Sequence, residues 1–291
     1  MKQIVKKVIY HFNCIVKTIS WGINVVRIEN FKNYLQPQHE KDSLLILANG
    51  PSLKNVIAAP IPDLQNSEVC VVNDFARFPV FTQIKPNHYV LADPFYFEDL
   101  ENQRNAELHE AFFKVDWRMN LYIPYSVRRI IKGKINNPNI TIIPYHCIPY
   151  DGWKKLRYKL YDFNLSMPRP QNVVIPSIFI AIKKGFKRIG LYGVDHSWTE
   201  EIRVNQKNEV CYLYHHFFDK KIPDLKPWYR GTGKTVYKMH EILRDLAWMF
   251  DGYHKLREYA DRKGCKIINH TPDSFIDAFE RENNSDTSLD D

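Results

Sequence analysis

The chain lacks every arrangement of cysteine that would signal a scaffold. Its five cysteines, Cys14, Cys70, Cys147, Cys211 and Cys265, are odd in number and widely spread. No Cys-x-x-C pair occurs, which excludes a disulfide framework or a thiolate zinc site and fits a reducing compartment. No His-Glu-x-x-His occurs either, so a helical zinc-hydrolase motif is absent. No apolar run reaches the roughly 20 residues of a membrane span, and the mean hydropathy of −0.42 excludes a polytopic membrane protein. The amino terminus has no unbroken apolar core followed by a small-residue cleavage site, so no cleaved signal is expected. No Gly-x-Gly-x-x-Gly follows a strand, which sets aside the ordinary dinucleotide fingerprint. Gly231-Thr232-Gly233-Lys234-Thr235 is not a P-loop: Trp228 stands where the first glycine is needed, and no strand precedes it. Asp-x-Asp occurs nowhere, so that way of holding a divalent ion against a diphosphate is missing.

What is present is enough for one sizeable core. The 291 residues are 44% hydrophobic and 14% aromatic, which excludes disorder over most of the length. The net charge of +8 favours anionic partners: phosphates, a membrane surface or nucleic acid. No RRM, helix-turn-helix or zinc-finger pattern supports nucleic acid.

Residues 1–36 differ from the rest. Val5, Val8, Phe12, Ile15, Val16 and Ile19 recur at helical spacing. Lys2, Lys6, Lys7, Lys17, Arg27 and Lys32 face a single acid, Glu29. Such a basic amphipathic helix either lies on an anionic membrane or packs on the following domain. A polar linker, 37–42, comes next.

From Ser43 the pattern is strand and helix in alternation. Short apolar runs at 43–48, 68–72, 88–92, 141–144, 186–192 and 265–268 read as strands. Asn172 to Lys184 reads as a helix capped by Asn172 with Pro176 in its first turn. Residues 234–263 read as a long helix, with a possible break at Asp251-Gly252. The tail from 280 to 291 is polar, acidic and expected to be disordered. Alternation of this kind predicts an α/β, Rossmann-like, mainly parallel sheet flanked by helices, over 43–278. Polar residues close the strands: Asn49, Asn73, Asp93, Asp195 and Asn269. Ligands of open parallel sheets bind at the carboxyl ends of the strands, although Asn and Asp also favour turns on their own account.

Asn49-Gly50-Pro51-Ser52 is the sharpest local signal. Gly50 lets the backbone approach a ligand, Ser52 is placed to cap the next helix, and helix-start N–H groups can hold phosphate. The Asn49 amide both donates and accepts. Histidines sit beside aromatic residues in Gly193-Val194-Asp195-His196-Ser197-Trp198 and in Tyr214-His215-His216-Phe217. Histidine suits removal of a proton from a hydroxyl near neutral pH; His196 and His216 are the leading candidates, His270 a third, and His240 lies within the long helix. The stretch 199–234 is aromatic, charged and without clear period. Its Tyr212, Tyr214, Trp228 and Tyr229 suit a lid or an ordinary packed insertion.

These blocks resemble bacterial sialyltransferases of glycosyltransferase family 42. The shared features are a first strand ending in Asn-Gly-Pro-Ser (Asn49 to Ser52) and a second ending in asparagine (Asn73). A later strand in the form Gly185 to Asp195 and a final block with Pro272 and Ser274 complete them. The resemblance implies that Asn49, Gly50, Pro51, Ser52 and Asn73 hold the CMP part of a sugar donor. By position it adds Asn172, and His196, Ser197 and Trp198 stand where the family has phosphate-binding tyrosines. It implies an inverting, metal-independent transfer of sialic acid or a related sugar from a CMP-sugar. The acceptor would be a glycan or lipid-linked, in lipopolysaccharide-type synthesis at the cytoplasmic face of the membrane. No cofactor is expected, since the nucleotide sugar is a substrate. Two alternatives stand beside it. Pterin diphosphokinase-like proteins with Gly-Pro-Ser-Leu share the strand–turn opening, and a non-catalytic nucleotide-binding module at the membrane would keep the pocket without turnover.

Overall fold

The computed structural model describes residues 2–26, 35–98, 101–213, 225–231 and 235–281. Its strands are β1 (Ser43–Leu47), β2 (Ser67–Val72), β3 (His88–Val90), β4 (Met119–Pro124), β5 (Ile140–Tyr145), β6 (Arg188–Tyr192), β7 (Ile202–Val204), β8 (Val210–Tyr212), β9 (Lys226–Pro227) and β10 (Lys266–Asn269). The helices are α1 (Lys2–Val26), α2 (Leu53–Ile57), α3 (Val80–Ile84), α4 (Phe95–Glu98), α5 (Gln103–Phe113), α6 (Arg128–Ile131), α7 (Lys154–Asp162), α8 (Val174–Lys184), α9 (Trp198–Glu201) and α10 (Met239–Lys263).

Seven strands form one sheet in the order β10-β6-β1-β2-β3-β4-β5, with every pair parallel. This is the Rossmann-like α/β arrangement the alternation predicts. Strand side chains point to opposite faces in turn, and both faces are covered. Leu44 and Ile46 of β1 join the core beneath α8 and α10, with Val72 and Tyr122. Leu45 and Leu47 join the core on the other face, with Val71, Tyr89 and Leu121.

Helix α8 is buried at every position except Lys183. A helix apolar all round is an interior one, and α8 lies against both β1 and α10. Asn172 caps it as expected: its Oδ1 accepts the N–H groups of Val174 and Ile175 at 2.9 and 3.1 Å. Helix α10 begins at Met239, not 234, and runs unbroken through Asp251-Gly252. Gly252 there marks close packing: a Cβ on it would stand 3.1 Å from Ile175 Cδ1 of α8.

Several elements were not legible, helices α5 and α7 among them. Strand β4 reads Met-Asn-Leu-Tyr-Ile-Pro, an apolar run interrupted by Asn120 and closed by Pro124. The insertion holds a second sheet, antiparallel, in the order β7-β8-β9. Its strands are two or three residues long, too short for a period to show. The linker at 37–42 is pinned along the amino edge of the main sheet. Glu68 Oε1 accepts the N–H groups of Glu40 and Lys41 at 2.5 and 3.1 Å, and Glu68 Oε2 lies 2.6 Å from His88 Nε2. Burial alone pushes the Glu68 carboxyl up, but His88 and these two N–H groups together hold it below the usual range. The tail residues 282–291 lie outside the described residues.

Candidate functional site

The chain builds β1, moves outward to β5, then returns to lay β6 and β10 on the other side of β1. The order therefore reverses between β1 and β6, and a crevice at the carboxyl ends of these strands is where such sheets bind ligands. Asn49-Gly50-Pro51-Ser52 leaves β1 here, and Gly193-Val194-Asp195-His196 leaves β6.

The two segments lock together. The Gly50 N–H donates to Gly193 O at 2.9 Å. Asp195 accepts from the Ser52 N–H at 3.0 Å and from the Ser52 hydroxyl at 2.9 Å. Ser52 makes no cap bond to its own helix, contrary to the sequence expectation; its hydroxyl goes to Asp195 instead. Gly50 is required by this closure: a Cβ there would lie 1.9 Å from Asp195 Oδ2 and 2.5 Å from Gly193 O. Burial pushes the Asp195 carboxyl up, and the two Ser52 bonds pull it only partly back. A five-residue α2 with a carboxylate already at its first turn is not an open phosphate cradle. The β6 turn is braced from behind by the last strand's exit: Thr271 Oγ1 accepts the Val194 N–H at 3.0 Å, and Ser274 Oγ donates to Val194 O at 2.6 Å. Pro51 is exposed at the tip of the first turn.

Asn49 is buried, and its Nδ2 donates to Val72 O at 3.1 Å, laying the side chain over the end of β2. Asn73 follows directly in the left-handed backbone region, φ 49°, which Asn tolerates better than most residues. Its carbonyl accepts from the Tyr89 hydroxyl. Its Oδ1 is buried with no hydrogen-bond partner among the described residues. At the other strand endings, Asp93 Oδ1 accepts the Phe95 N–H at 2.9 Å, and Asn269 Oδ1 accepts the Thr271 N–H at 3.0 Å while its Nδ2 is buried with no partner among the described residues.

His196 forms a buried cluster with Asn172 and Tyr253. Its Nε2 lies 2.5 Å from the Tyr253 hydroxyl and 3.1 Å from Asn172 Nδ2. Burial lowers its pKa to about 3. At neutral pH the ring is neutral, and its basic nitrogen is already engaged. Its Nε2 stands between Asn172, at the start of α8, and Tyr253, and a base near neutral pH works best with a pKa closer to 7. Trp198 packs beside it with ring centroids 4.7 Å apart, and Ser197 precedes α9.

The insertion's second sheet brings Tyr212 and Trp228 together, centroids 4.8 Å apart. Burial raises the Tyr212 pKa while the Arg104 guanidinium opposes the shift, so the insertion lies near the start of α5. Arg104 itself holds Asp74, the residue after Asn73, through Nε at 2.7 Å. Arg230 pairs with Glu241. His216, with Tyr214, His215 and Lys234, lies outside the described residues. Exposed His240 sits in the first turn of α10, and His270 stacks on Tyr192 at 4.7 Å.

Sequence reasoning missed Tyr253 and a group at the ends of β4 and β5. There His146 lies against Tyr125 with centroids 4.4 Å apart, and Arg128 covers Tyr125 at 3.6 Å. Burial lowers the His146 pKa, and Arg128 adds to this. The only signal available was His146 standing directly after the strand read at 141–144. Among the described residues, no group of three or more His, Cys, Asp or Glu side chains is placed to hold a metal ion.

No protein-family model matches the chain, and no curated protein matches it in sequence. Among solved structures, the MAf glycosyltransferase from Magnetospirillum magneticum AMB-1 is similar, with 15% sequence identity and a TM-score of 0.47. The likeness covers 84% of this chain and 34% of that one, so the chain spans about a third of that molecule's length.

Proposed function

We propose that the chain is a glycosyltransferase whose nucleotide-sugar donor seats at the carboxyl ends of β1, β2 and β6. The observation that carries this reading is the buried Asn73 Oδ1, which has no hydrogen-bond partner among the described residues. It follows β2 directly, beside the Asn49 side chain that leaves β1, one strand from the point where the order reverses. A buried acceptor of this kind calls for a donor, and a nucleoside offers amine and hydroxyl donors.

In this reading Asn49 and Asn73 take the nucleoside. Gly50, Pro51 and Ser52 form one wall, and Asp195, Ser197 and Trp198 the other. Asn172 reaches the donor from the start of α8, oriented by His196. The Asp195 carboxylate disfavours a second phosphate at the turn, so a nucleoside monophosphate leaving group fits better than a diphosphate. That selects a CMP-linked sugar, sialic acid or a relative. The acceptor hydroxyl oxygen attacks the anomeric carbon, the bond from that carbon to the phosphate oxygen breaks, and CMP departs with the bonding electrons. His216 is the proposed base for the hydroxyl proton. The acceptor is a glycan or a lipid-linked sugar.

A thermal-shift screen with CMP, UDP, GDP, ADP and a reduced pterin, each with and without magnesium, tests the donor. CMP is expected to raise Tm without metal, and Asn49→Ala and Asn73→Ala to remove the effect. Stabilisation by a pterin with magnesium alone would move the chain to diphosphate transfer. CMP binding with no transfer to any acceptor would leave a binding module.

A further inference from the structure

Helix α1 meets the rest of the molecule along one narrow stripe. Cys14 is buried there, and Thr18, Trp21 and Gly22 are half-buried. Thr18 Oγ1 lies 2.8 Å from the Tyr150 hydroxyl, Trp21 Nε1 donates to Leu165 O at 3.2 Å, and Trp153 Nε1 donates to His11 Nδ1 at 3.0 Å. His11, Cys14, Thr18 and Trp21 recur every three or four residues and so share one face.

The large apolar side chains lie on another face. Val5, Val8, Phe12, Ile15, Ile19 and Ile23 keep the same spacing, and each is between 47% and 64% exposed. With Ile4 and Ile9 at its margins, this face spans roughly 140° of the helix at 100° per residue. An amphipathic helix ordinarily turns its apolar face to the core. This one packs through its small and polar stripe and carries its apolar face outward.

The charge on the helix itself has one sign. Helix α1 contains Lys2, Lys6, Lys7 and Lys17 and no acid. Next to the helix, Lys155 and Lys159 of α7, and Lys154, which pairs with Glu258 at 2.9 Å, line an open groove of about 550 Å³ with Tyr10, Trp153 and Leu156. A second copy of α1 laid on this face would bring no carboxylate to pair with the lysines of either helix. A paired-helix seam also needs only two apolar positions in seven, and this face is wider. An anionic bilayer complements both features: acyl chains take the broad apolar face, and headgroup phosphates take the lysines.

We propose that α1 is a membrane-docking helix, lying in the plane of an anionic bilayer with Val5, Phe12, Ile15 and Ile19 in the acyl region. The lysines of α1, carried on the remaining helix surface, then reach toward the headgroups. The helix attaches at Tyr150, in the loop leaving the carboxyl end of β5, which is the sheet end that holds the candidate crevice. The proposal does not depend on what the crevice binds.

Co-sedimentation of the full chain with vesicles tests it. One set is phosphatidylcholine alone, the other an equal mixture with phosphatidylglycerol. Binding is expected to the mixture, to weaken with salt, and to be slight for phosphatidylcholine. Phe12→Ser with Ile15→Ser, both outward-facing, should lower binding at least about tenfold with circular dichroism and Tm unchanged. Lys6→Gln, Lys7→Gln and Lys17→Gln should lower it about fivefold per lysine removed. Equal binding to both vesicles, no binding to either, or a wild-type dimer that the Phe12/Ile15 variant dissociates without any vesicle binding would each overturn it.

Discussion

The Asp195 carboxylate accepts both the backbone N–H and the hydroxyl of Ser52, a residue 143 positions earlier in the chain. These two bonds join the exits of β1 and β6 across the point where the strand order reverses. Replacing Asp195 by Asn turns one acceptor oxygen into an NH₂ facing Ser52 and leaves a half-buried donor unpaired. The expected cost is about 1–3 kcal/mol, read by urea denaturation. Ser52→Ala should cost less. The two changes together should fall short of their sum, because they remove the same contact. Strict additivity would mean that the contact does not hold the turn.

Gly50 answers to the same carboxylate. An alanine there would place its Cβ 1.9 Å from Asp195 Oδ2 and 2.5 Å from Gly193 O. Neither can yield cheaply, since one is held by Ser52 and the other is backbone. Gly50→Ala is expected to destabilise by about 1–3 kcal/mol or more. Adding Asp195→Ala removes the first overlap but leaves the second, so rescue should be partial. Full rescue, measured as Tm, would show that the backbone of β6 moves freely.

His196 should set part of the acid stability. Its folded pKa is about 3 against an ordinary value of 6.5. The unfolded chain therefore binds the extra proton between these values, and stability rises with pH through that window. The contribution is complete above about pH 6.5 and falls by at most about 1.4 kcal/mol per pH unit below it. Asn at this position keeps a hydrogen-bonding amide for Tyr253 and tolerates the left-handed backbone, φ 58°. The stability lost between about pH 7 and 5.5 should be about 1.3 kcal/mol smaller in His196→Asn than in the wild type. Equal losses would mean that the ring reaches water in the folded state.

The strands of the sheet were legible where apolar runs were long and closed by a polar residue, as at Leu44–Leu47 before Asn49. The Asn172 cap was legible because a cap and its helix are neighbours in sequence. Ser52 was read as a cap by the same local rule, and its hydroxyl went instead to Asp195, a partner that only the folded sheet brings near. The amphipathic period of α1 was plain from Val5 to Ile19. Which side meets the domain was not, because that depends on Tyr150, Trp153 and Leu165, far along the chain. His196 looked available as a base because a sequence does not show burial. Tyr253, the residue that engages it, carried no local signal.

Gly252 tests the difference between a glycine that breaks a helix and one that admits a neighbour. Alanine at this position gains about 1 kcal/mol of helix propensity. Its Cβ would stand 3.1 Å from Ile175 Cδ1, the mobile end of a flexible side chain, and 3.7 Å from Arg169 O. A shift of a few tenths of an ångström in the Ile175 methyl relieves the first contact, so Gly252→Ala should be neutral or slightly stabilising in Tm. Leucine asks for room that only separation of α10 from α8 would provide, and it should cost about 1–3 kcal/mol. If alanine proves as costly as leucine, the two helices are locked at Ile175 itself. If leucine is tolerated, α10 does not depend on close approach to α8, and the unbroken run of α10 through Asp251-Gly252 needs another cause.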